Sequence, residues 1–201
     1  LKRVVGMGVQ VLADGDWGTD VEPSTDDSGA FDRAETTFRD RIRDDPGGRF
    51  QPAAGRYHLY VARNCPWAHG VALTRRLAGL TDVISMDVVD PWREDGGWEF
   101  TPEKDGCTPD TIHGSDYLRE VYLAADSEYT SRVSVPVLWD KEHETIVNNE
   151  SIEIMRMLAT EFTAYGDDGR DLYPAGYHEE IDRIIDSIYD SINNGVYRAG
   201  F

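Results

Sequence analysis

The clearest alternation of apolar and polar positions begins after residue 55. Tyr57–Ala62 is a short, β-rich apolar run. Residues 66–79 read as a helix: Pro66 suits its first turn, Leu73 and Leu77 share a face, and Gly79 can cap its end. Val83–Val89 is a second, strongly apolar strand, so strand, helix and strand predict a parallel βαβ unit. A variable stretch from Asp90 to Ser131 holds Trp92, Gly96-Gly97-Trp98 and an expected helix around Asp116–Ala124. Val135–Trp139 and Thr145–Val147 then predict an antiparallel hairpin around the polar turn Asp140–Glu144. Asn149-Glu150-Ser151 opens a helix to about Phe162, with Ile154, Met157 and Leu158 at i, i+3 and i+4. A Gly/Asp-rich linker, Gly166–Gly176, precedes a last helical pattern. There Ile181, Ile184, Ile185, Ile188 and Ile192 fall on one stripe, which reads as core.

The order βαβ, excursion, ββα is the layout of a thioredoxin-like domain, an α/β fold. The amphipathic helix behind the linker reads as the start of an all-α domain. One helix cannot bury its own stripe, so that domain is expected to be incomplete in this chain. The expected boundaries are an N-terminal extension over 1–55, a thioredoxin-like domain over 56–163, a linker over 164–177 and the start of the all-α domain over 178–201. Residues 1–50 lack clean periodicity and carry clusters such as Asp14-Gly15-Asp16 and Glu22-Pro23-Ser24. Phe38–Arg43 reads as a short helix and Asp45-Pro46-Gly47-Gly48 as a turn. Gly6-Met7-Gly8 resembles the start of a dinucleotide fingerprint, but no third glycine or strand–turn–helix context follows, and the nucleotide reading is weak.

Charge narrows the possible partners. Twenty Lys and Arg against 38 Asp and Glu give a net charge of −18 over 201 residues. Such a balance argues against binding nucleic acid or anionic membrane by charge. No apolar run approaches the length of a membrane helix, and Leu1–Gln10 has no secretory pattern. The expectation is a soluble, cytoplasmic protein. Its basic residues are 17 Arg and only 3 Lys, and its acids are 24 Asp and 14 Glu. This texture reads as adaptation to a high-salt cytoplasm, where screening relieves self-repulsion.

Two cysteines, Cys65 and Cys107, are too few for a disulfide framework. Cys65 lies at a strand-to-helix junction beside Pro66. Unsatisfied N–H groups at a helix start favour a thiolate, the nucleophile of thiol–disulfide exchange. The motif is C-P-W-A, since Ala68 stands where a resolving cysteine would be. The bland alternative is a buried, inert cysteine. Val135-Pro136 precedes the hairpin, where thioredoxin-like folds usually carry a cis proline whose preceding residue pairs with an extended peptide; otherwise it is a strand-entry proline. Glu150-Ser151 offers free N–H groups and a hydroxyl for a carboxylate, and a carboxylate for an ammonium, or else simply caps a helix. Together these features describe a site for a small γ-glutamyl thiol. His58 and His69 show no metal-ligand spacing around Cys65, so no metal is expected, and Cys107 reads as incidental.

Six segments carry a specific resemblance: Arg56-Tyr57-His58-Leu59-Tyr60, Asn64-Cys65-Pro66-Trp67-Ala68-His69, Gly97-Trp98-Glu99-Phe100, Arg132-Val133-Ser134-Val135-Pro136, Val147-Asn148-Asn149-Glu150-Ser151 and Asn193-Asn194-Gly195-Val196-Tyr197. From about Phe31 to Phe201 the sequence resembles the glutathionyl-hydroquinone reductases, the xi class of glutathione transferases. The resemblance implies Cys65 as nucleophile and Tyr197 as proton donor and acceptor. It implies Trp98, Arg132, Val133, Ser134, Val135, Glu150 and Ser151 as contacts of glutathione or γ-glutamylcysteine, the co-substrate. It also implies a quinone-type substrate and a homodimer. Gly70 departs from the family's usual Arg, leaving that position's electrostatic contribution open. The rival readings are an omega-type transferase or glutaredoxin acting on mixed disulfides, and a non-enzymatic thiol-binding protein.

The charge balance makes stability salt-dependent. The melting temperature is expected to rise clearly from about 0.05 to about 3 M KCl as screening shortens the Debye length. A flat or falling curve contradicts the high-salt reading.

Overall fold

The computed structural model describes residues 9–20, 36–166 and 169–200. Gly6-Met7-Gly8 and Glu22-Pro23-Ser24 lie outside them. The central element is β3 (Tyr57–Ala62), all six residues of which are buried. It pairs in parallel with β4 (Ser85–Val89) on one side and antiparallel with β6 (Val137–Asp140) on the other; β7 (Thr145–Asn148) completes the order β4-β3-β6-β7. Helix α1 (Pro66–Leu77) is the crossover between the parallel strands, and it packs on α3 (Ser151–Thr160). Helix α2 (Leu118–Ala125) touches β7. This mixed sheet with its helices is the expected thioredoxin-like fold.

A second sheet lies beyond what the apolar pattern predicts. β1 (Val9–Ala13) pairs antiparallel with β2 (Asp16–Asp20) and with the two-residue β5 (Ser131–Arg132). Asp14 and Gly15 form the turn with φ of 48° and 81°, the two positive values that a tight hairpin requires. The Asp-Gly pair is the visible signal, but the flanking strands lack the alternation that would frame it.

Phe38–Arg43 is extended rather than helical, with a single bridge from Arg39 to Asn148 on β7. Phe38 and Ile42 are four residues apart, a spacing that suits either a helix or a strand. The difference shows in Arg39 and Arg41. Two residues apart, both reach the Glu153 carboxylate on α3, at 2.5 and 3.0 Å, as an extended chain allows. Asn148 Nδ2 donates to Glu153 at 2.8 Å and to the Asp40 carbonyl at 3.0 Å, and Ile42 is buried against the core. The turn at Asp45–Gly48 closes as expected, with Gly48 N–H on the Asp45 carbonyl at 3.0 Å.

Element ends shift where turns compete with strands. Val83 and Ile84 belong to the turn after α1, because both N–H groups bond the Leu80 carbonyl, so β4 starts only at Ser85. Towards the C-terminus, α4 (His178–Ile188) gives way to a wide π turn over Tyr189–Asn193 and then to α5 (Gly195–Gly200). The isoleucine stripe is therefore interrupted. None of its five residues is buried in this chain, and Ile192 is 59% exposed. Among the described residues no helix is long and apolar enough to cross a membrane.

The hydrogen bonds from Arg39 and Asn148 hold the Glu153 carboxyl at about 2, against an ordinary 4.5, despite an opposing cost of burial. Its folded value is depressed, so the stabilisation is present above the ordinary value and lost as pH falls toward 2. Glu153→Gln is expected to cost on the order of 2–3 kcal/mol near neutral pH. Urea melts of both proteins should show the gap closing as the buffer is acidified toward about pH 2; a gap independent of pH contradicts the ion-pair account.

Candidate active site

Cys65 is the N-cap of α1, three residues beyond the end of β3. Its N–H bonds the Ala62 carbonyl at 3.2 Å, and its own carbonyl accepts the His69 N–H at 2.9 Å. Pro66 fills the first helical position, where a missing N–H costs nothing. The half-buried thiol points away from the helix's capping position and meets the Val135 carbonyl, with Sγ 3.6 Å from the oxygen. The Val135–Pro136 peptide is cis, in keeping with the layout of the fold.

Tyr197, on α5, is brought to the same place from 132 residues along the chain. The Trp67 indole N–H, two residues beyond Cys65, donates to the Tyr197 hydroxyl at 3.0 Å. Trp67 also packs near Tyr189, with ring centroids 6.1 Å apart. Trp67 lies inside the cysteine motif, but nothing in the sequence marks it as the link between the helical segment and the thiol.

Of the remaining expected contacts, Trp98 is buried with its indole N–H unpartnered, and the others group around Tyr122. Its buried hydroxyl donates to the Ser134 carbonyl at 2.9 Å and accepts from Asn149 Nδ2 at 3.2 Å. Burial, and next the neighbouring Tyr129, hold this phenol well above its ordinary value, so it stays a neutral donor. One side chain thus fixes the Arg132–Val135 segment against Glu150-Ser151. Val133 and Val135 are buried, and Arg132 lies in β5 with its carbonyl accepting the Tyr129 hydroxyl at 3.1 Å. Glu150 is the N-cap of α3, and its N–H bonds Asn148 Oδ1 at 2.7 Å. Ser151, the first residue of α3, is 2% exposed, and its hydroxyl has no hydrogen-bond partner. A buried hydroxyl at a helix start, with free N–H groups around it, fits the carboxylate of a γ-glutamyl group.

Comparison with known proteins bears on the family and the fold. The family model described as glutathione S-transferase, N-terminal domain, matches residues 64–161. The chain is 46% identical to the glutathionyl-hydroquinone reductase PcpF of Sphingobium chlorophenolicum, covering 95% of this chain and 59% of that protein. The xi class transferase structure from Natrialba magadii is 58% identical, with a TM-score of 0.88 over 96% of this chain and 58% of that one. The chain belongs to the xi class of glutathione transferases. A glutathione-bound structure of YqjG from Escherichia coli K-12 superposes with a TM-score of 0.81 at 42% identity, over 95% of this chain and 58% of that one. The chain spans about three-fifths of the length of the curated relatives it matches.

Within this xi-class frame, Gly70 faces α3: a Cβ there would lie 2.9 Å from the Met155 sulfur, a contact that a shift of the flexible methionine side chain would relieve. A cleft of about 130 Å³ opens beside it, lined by Trp67, Gly70, Ser151, Met155, Ile185 and Ile188 among others.

Other polar residues are not drawn to the thiol. His58 is buried near the start of β3, the far end from Cys65, with Nδ1 2.7 Å from Ser85 Oγ and Nε2 3.1 Å from Asp87. Burial raises the Asp87 carboxyl, but His58 and the Thr111 N–H and hydroxyl outweigh it and hold it below its ordinary value. His69 is exposed. Cys107 sits with Sγ 3.9 Å from the Val89 carbonyl, and both cysteines are free thiols. Among the described residues no group of three His, Cys, Asp or Glu is placed to hold a metal.

Removing the unpartnered Ser151 hydroxyl should relieve an unsatisfied buried group. Ser151→Ala is therefore expected to leave the ligand-free melting temperature unchanged or raised. A clear loss of stability would mean that the hydroxyl already has a structural partner.

Proposed function

We propose that the chain is part of an enzyme that removes a glutathionyl or γ-glutamylcysteinyl group from hydroquinone adducts. One observation carries the reading: the Cys65 thiol opens α1 beside Val135, while Trp67 on that helix holds the Tyr197 hydroxyl at 3.0 Å. A nucleophile and a proton donor thus share one site.

The Cys65 thiolate attacks the sulfur of the aryl thioether, and the sulfur–carbon electron pair leaves with the ring carbon. Tyr197 protonates that carbon, giving the hydroquinone and a mixed disulfide on Cys65. Ala68 cannot resolve it, so a second thiol attacks, releasing the disulfide of the small thiol and regenerating Cys65. Tyr197 regains its proton from the incoming thiol or from solvent. Val135, with Arg132, Val133 and Ser134, is read as the edge along which the ligand backbone lies. Glu150 and Ser151 take its amino-acid end, and Trp98 covers it. The related proteins named for glutathionyl-hydroquinone reduction support the chemistry, and the glutathione-bound YqjG structure supports the co-substrate. A thioredoxin-like domain over 56–163, a linker over 164–177 and a helical domain starting at 178, with homodimeric assembly in a salt-rich cytoplasm, complete the proposal.

Cys65→Ser should abolish turnover of adducts and of small disulfides alike, whereas Cys107→Ser should keep both. Tyr197→Phe should cost the adduct reaction about 10²–10⁴-fold, the usual worth of a positioned acid. It should spare disulfide exchange, because a thiolate leaving group needs no proton. Equal losses in both assays would remove Tyr197 from the chemistry. Full activity in Cys65→Ser would remove the mechanism. Assays on the full-length protein with adduct and disulfide substrates decide between these outcomes.

A further inference from the structure

Two polar contacts, well apart, tie the helical segment that carries Tyr197 to the thioredoxin-like domain. The near one is at Trp67, whose indole N–H donates to the Tyr197 hydroxyl at 3.0 Å. The far one is at Asp182, in the second turn of α4. Arg156 on α3 donates to its Oδ1 at 2.5 Å. The Tyr173 hydroxyl, from the chain just ahead of α4, lies 2.9 and 3.1 Å from its two oxygens. Tyr173 is itself held in place. The Arg156 guanidinium sits over its ring at 5.5 Å, and the His178 ring stacks on it at 3.9 Å.

Between these contacts the apolar face of α4 is loosely packed. The cleft of about 130 Å³ lies there, with Gly70 and Met155 on one side and Ile185 and Ile188 on the other. Side chains across such a gap resist a tilt of the helix poorly, because dispersion contacts fall away steeply with separation. The bond at Tyr197 fixes a distance and leaves the segment able to pivot about it. The grip on Asp182 removes that freedom. Residues 182 and 197 lie about 22 Å apart at the helical rise, so a tilt of about 3° about the Asp182 end carries the phenol about 1 Å. A misplacement of about 1 Å can cost about 10²-fold in rate. The Arg156–Asp182 pair is partly exposed, and pairs of that kind add little to global stability. Its effect is therefore on the direction of α4 rather than on whether the chain folds.

We propose that Asp182, gripped by Arg156 and Tyr173, is a positioning residue for proton transfer: it sets the direction of α4 and, through it, the place of the Tyr197 hydroxyl beside Cys65. The proposal rests on the reading of Tyr197 as the proton donor. Asp182 acts through the helix and not on the reacting atoms. It therefore serves cleavage of the carbon–sulfur bond, in which the departing carbon takes the Tyr197 proton. It does not serve thiol–disulfide exchange, in which a thiolate leaves without one.

The test uses full-length protein and two single-turnover reactions, reduction of a glutathionyl-hydroquinone and reduction of a small mixed disulfide of glutathione. Asp182→Ala should slow the adduct reaction about 10- to 100-fold and the disulfide reaction less than about three-fold. Arg156→Met should give the same split. Arg156→Lys, which keeps a cation for the carboxylate, should recover most of the adduct rate. In a Tyr197→Phe background, Asp182→Ala should add almost nothing to the adduct loss, because a phenol that is gone cannot also be misplaced. Equal losses in both reactions, additive losses with Tyr197→Phe, or wild-type adduct rates in Asp182→Ala and Arg156→Met each overturn the proposal. If Asp182→Ala does not fold, Arg156→Met and Arg156→Lys carry the same comparison, including the Tyr197→Phe background. An equal effect of Tyr197→Phe alone on the two reactions overturns the proton-donor reading, and the positioning role with it.

Discussion

The geometry of the site depends on one constraint: β3 is hydrogen-bonded along both edges and buried along its whole length. A strand in that position cannot slide, because a one-residue slip would turn buried side chains to the wrong face. Its far end therefore delivers Cys65 to a fixed point. The antiparallel partner β6 begins at Val137, so the residues just ahead of it, Val135 and Pro136, arrive at the same end of the sheet. The contact between the Cys65 thiol and the Val135 carbonyl is a product of strand pairing. At the other end Arg56, just before β3, grips Asp140 at the end of β6 with two hydrogen bonds of 2.8 and 2.6 Å. Burial raises the Asp140 carboxyl, but the bonds from Arg56 and the Glu142 N–H outweigh it and hold it below its ordinary value, as an ion pair locking the register.

The acidic composition has an internal side as well as a surface one. Asp87, Asp90, Asp110 and Asp140 are all buried. Asp110 accepts the Tyr60 hydroxyl and the N–H groups of Ile112, His113 and Ser115, and so folds the loop before α2 onto the sheet. Each of these carboxylates serves as an acceptor for backbone or side-chain donors that would otherwise lie unpaired in the interior. The excess of Asp over Glu suits that use, since the short side chain reaches nearby backbone with little freedom to lose.

The βαβ unit, the hairpin and α3 are legible in the sequence, because there the apolar period, Pro66 and Gly79 all point the same way. Fold layout brings Cys65 and Val135 together, whereas Tyr197 is reached only through family resemblance. The sheet built on β1 escapes, since β1 and β2 lack a clean alternation and β5, the second partner of β1, lies more than a hundred residues away. Phe38–Arg43 misleads because a four-residue apolar spacing is common to both periods. Tyr122 carries no signal in the sequence at all. An isolated tyrosine inside a helix gains meaning only from neighbours distant along the chain.

The π turn at Tyr189–Asn193 sets the angular phase of α5. In an uninterrupted α-helix, the face presented by Ile185, Ile188 and Ile192 would next be occupied by position 196. The wide turn, closed by the Asn194 N–H on the Tyr189 carbonyl at 2.8 Å, stores one extra residue and rotates the final helix by about 100°. Tyr197 then takes the angular slot that would have gone to Val196, which is 56% exposed. The single-residue offset works like a gear tooth, choosing a phenol rather than an aliphatic side chain to face Trp67.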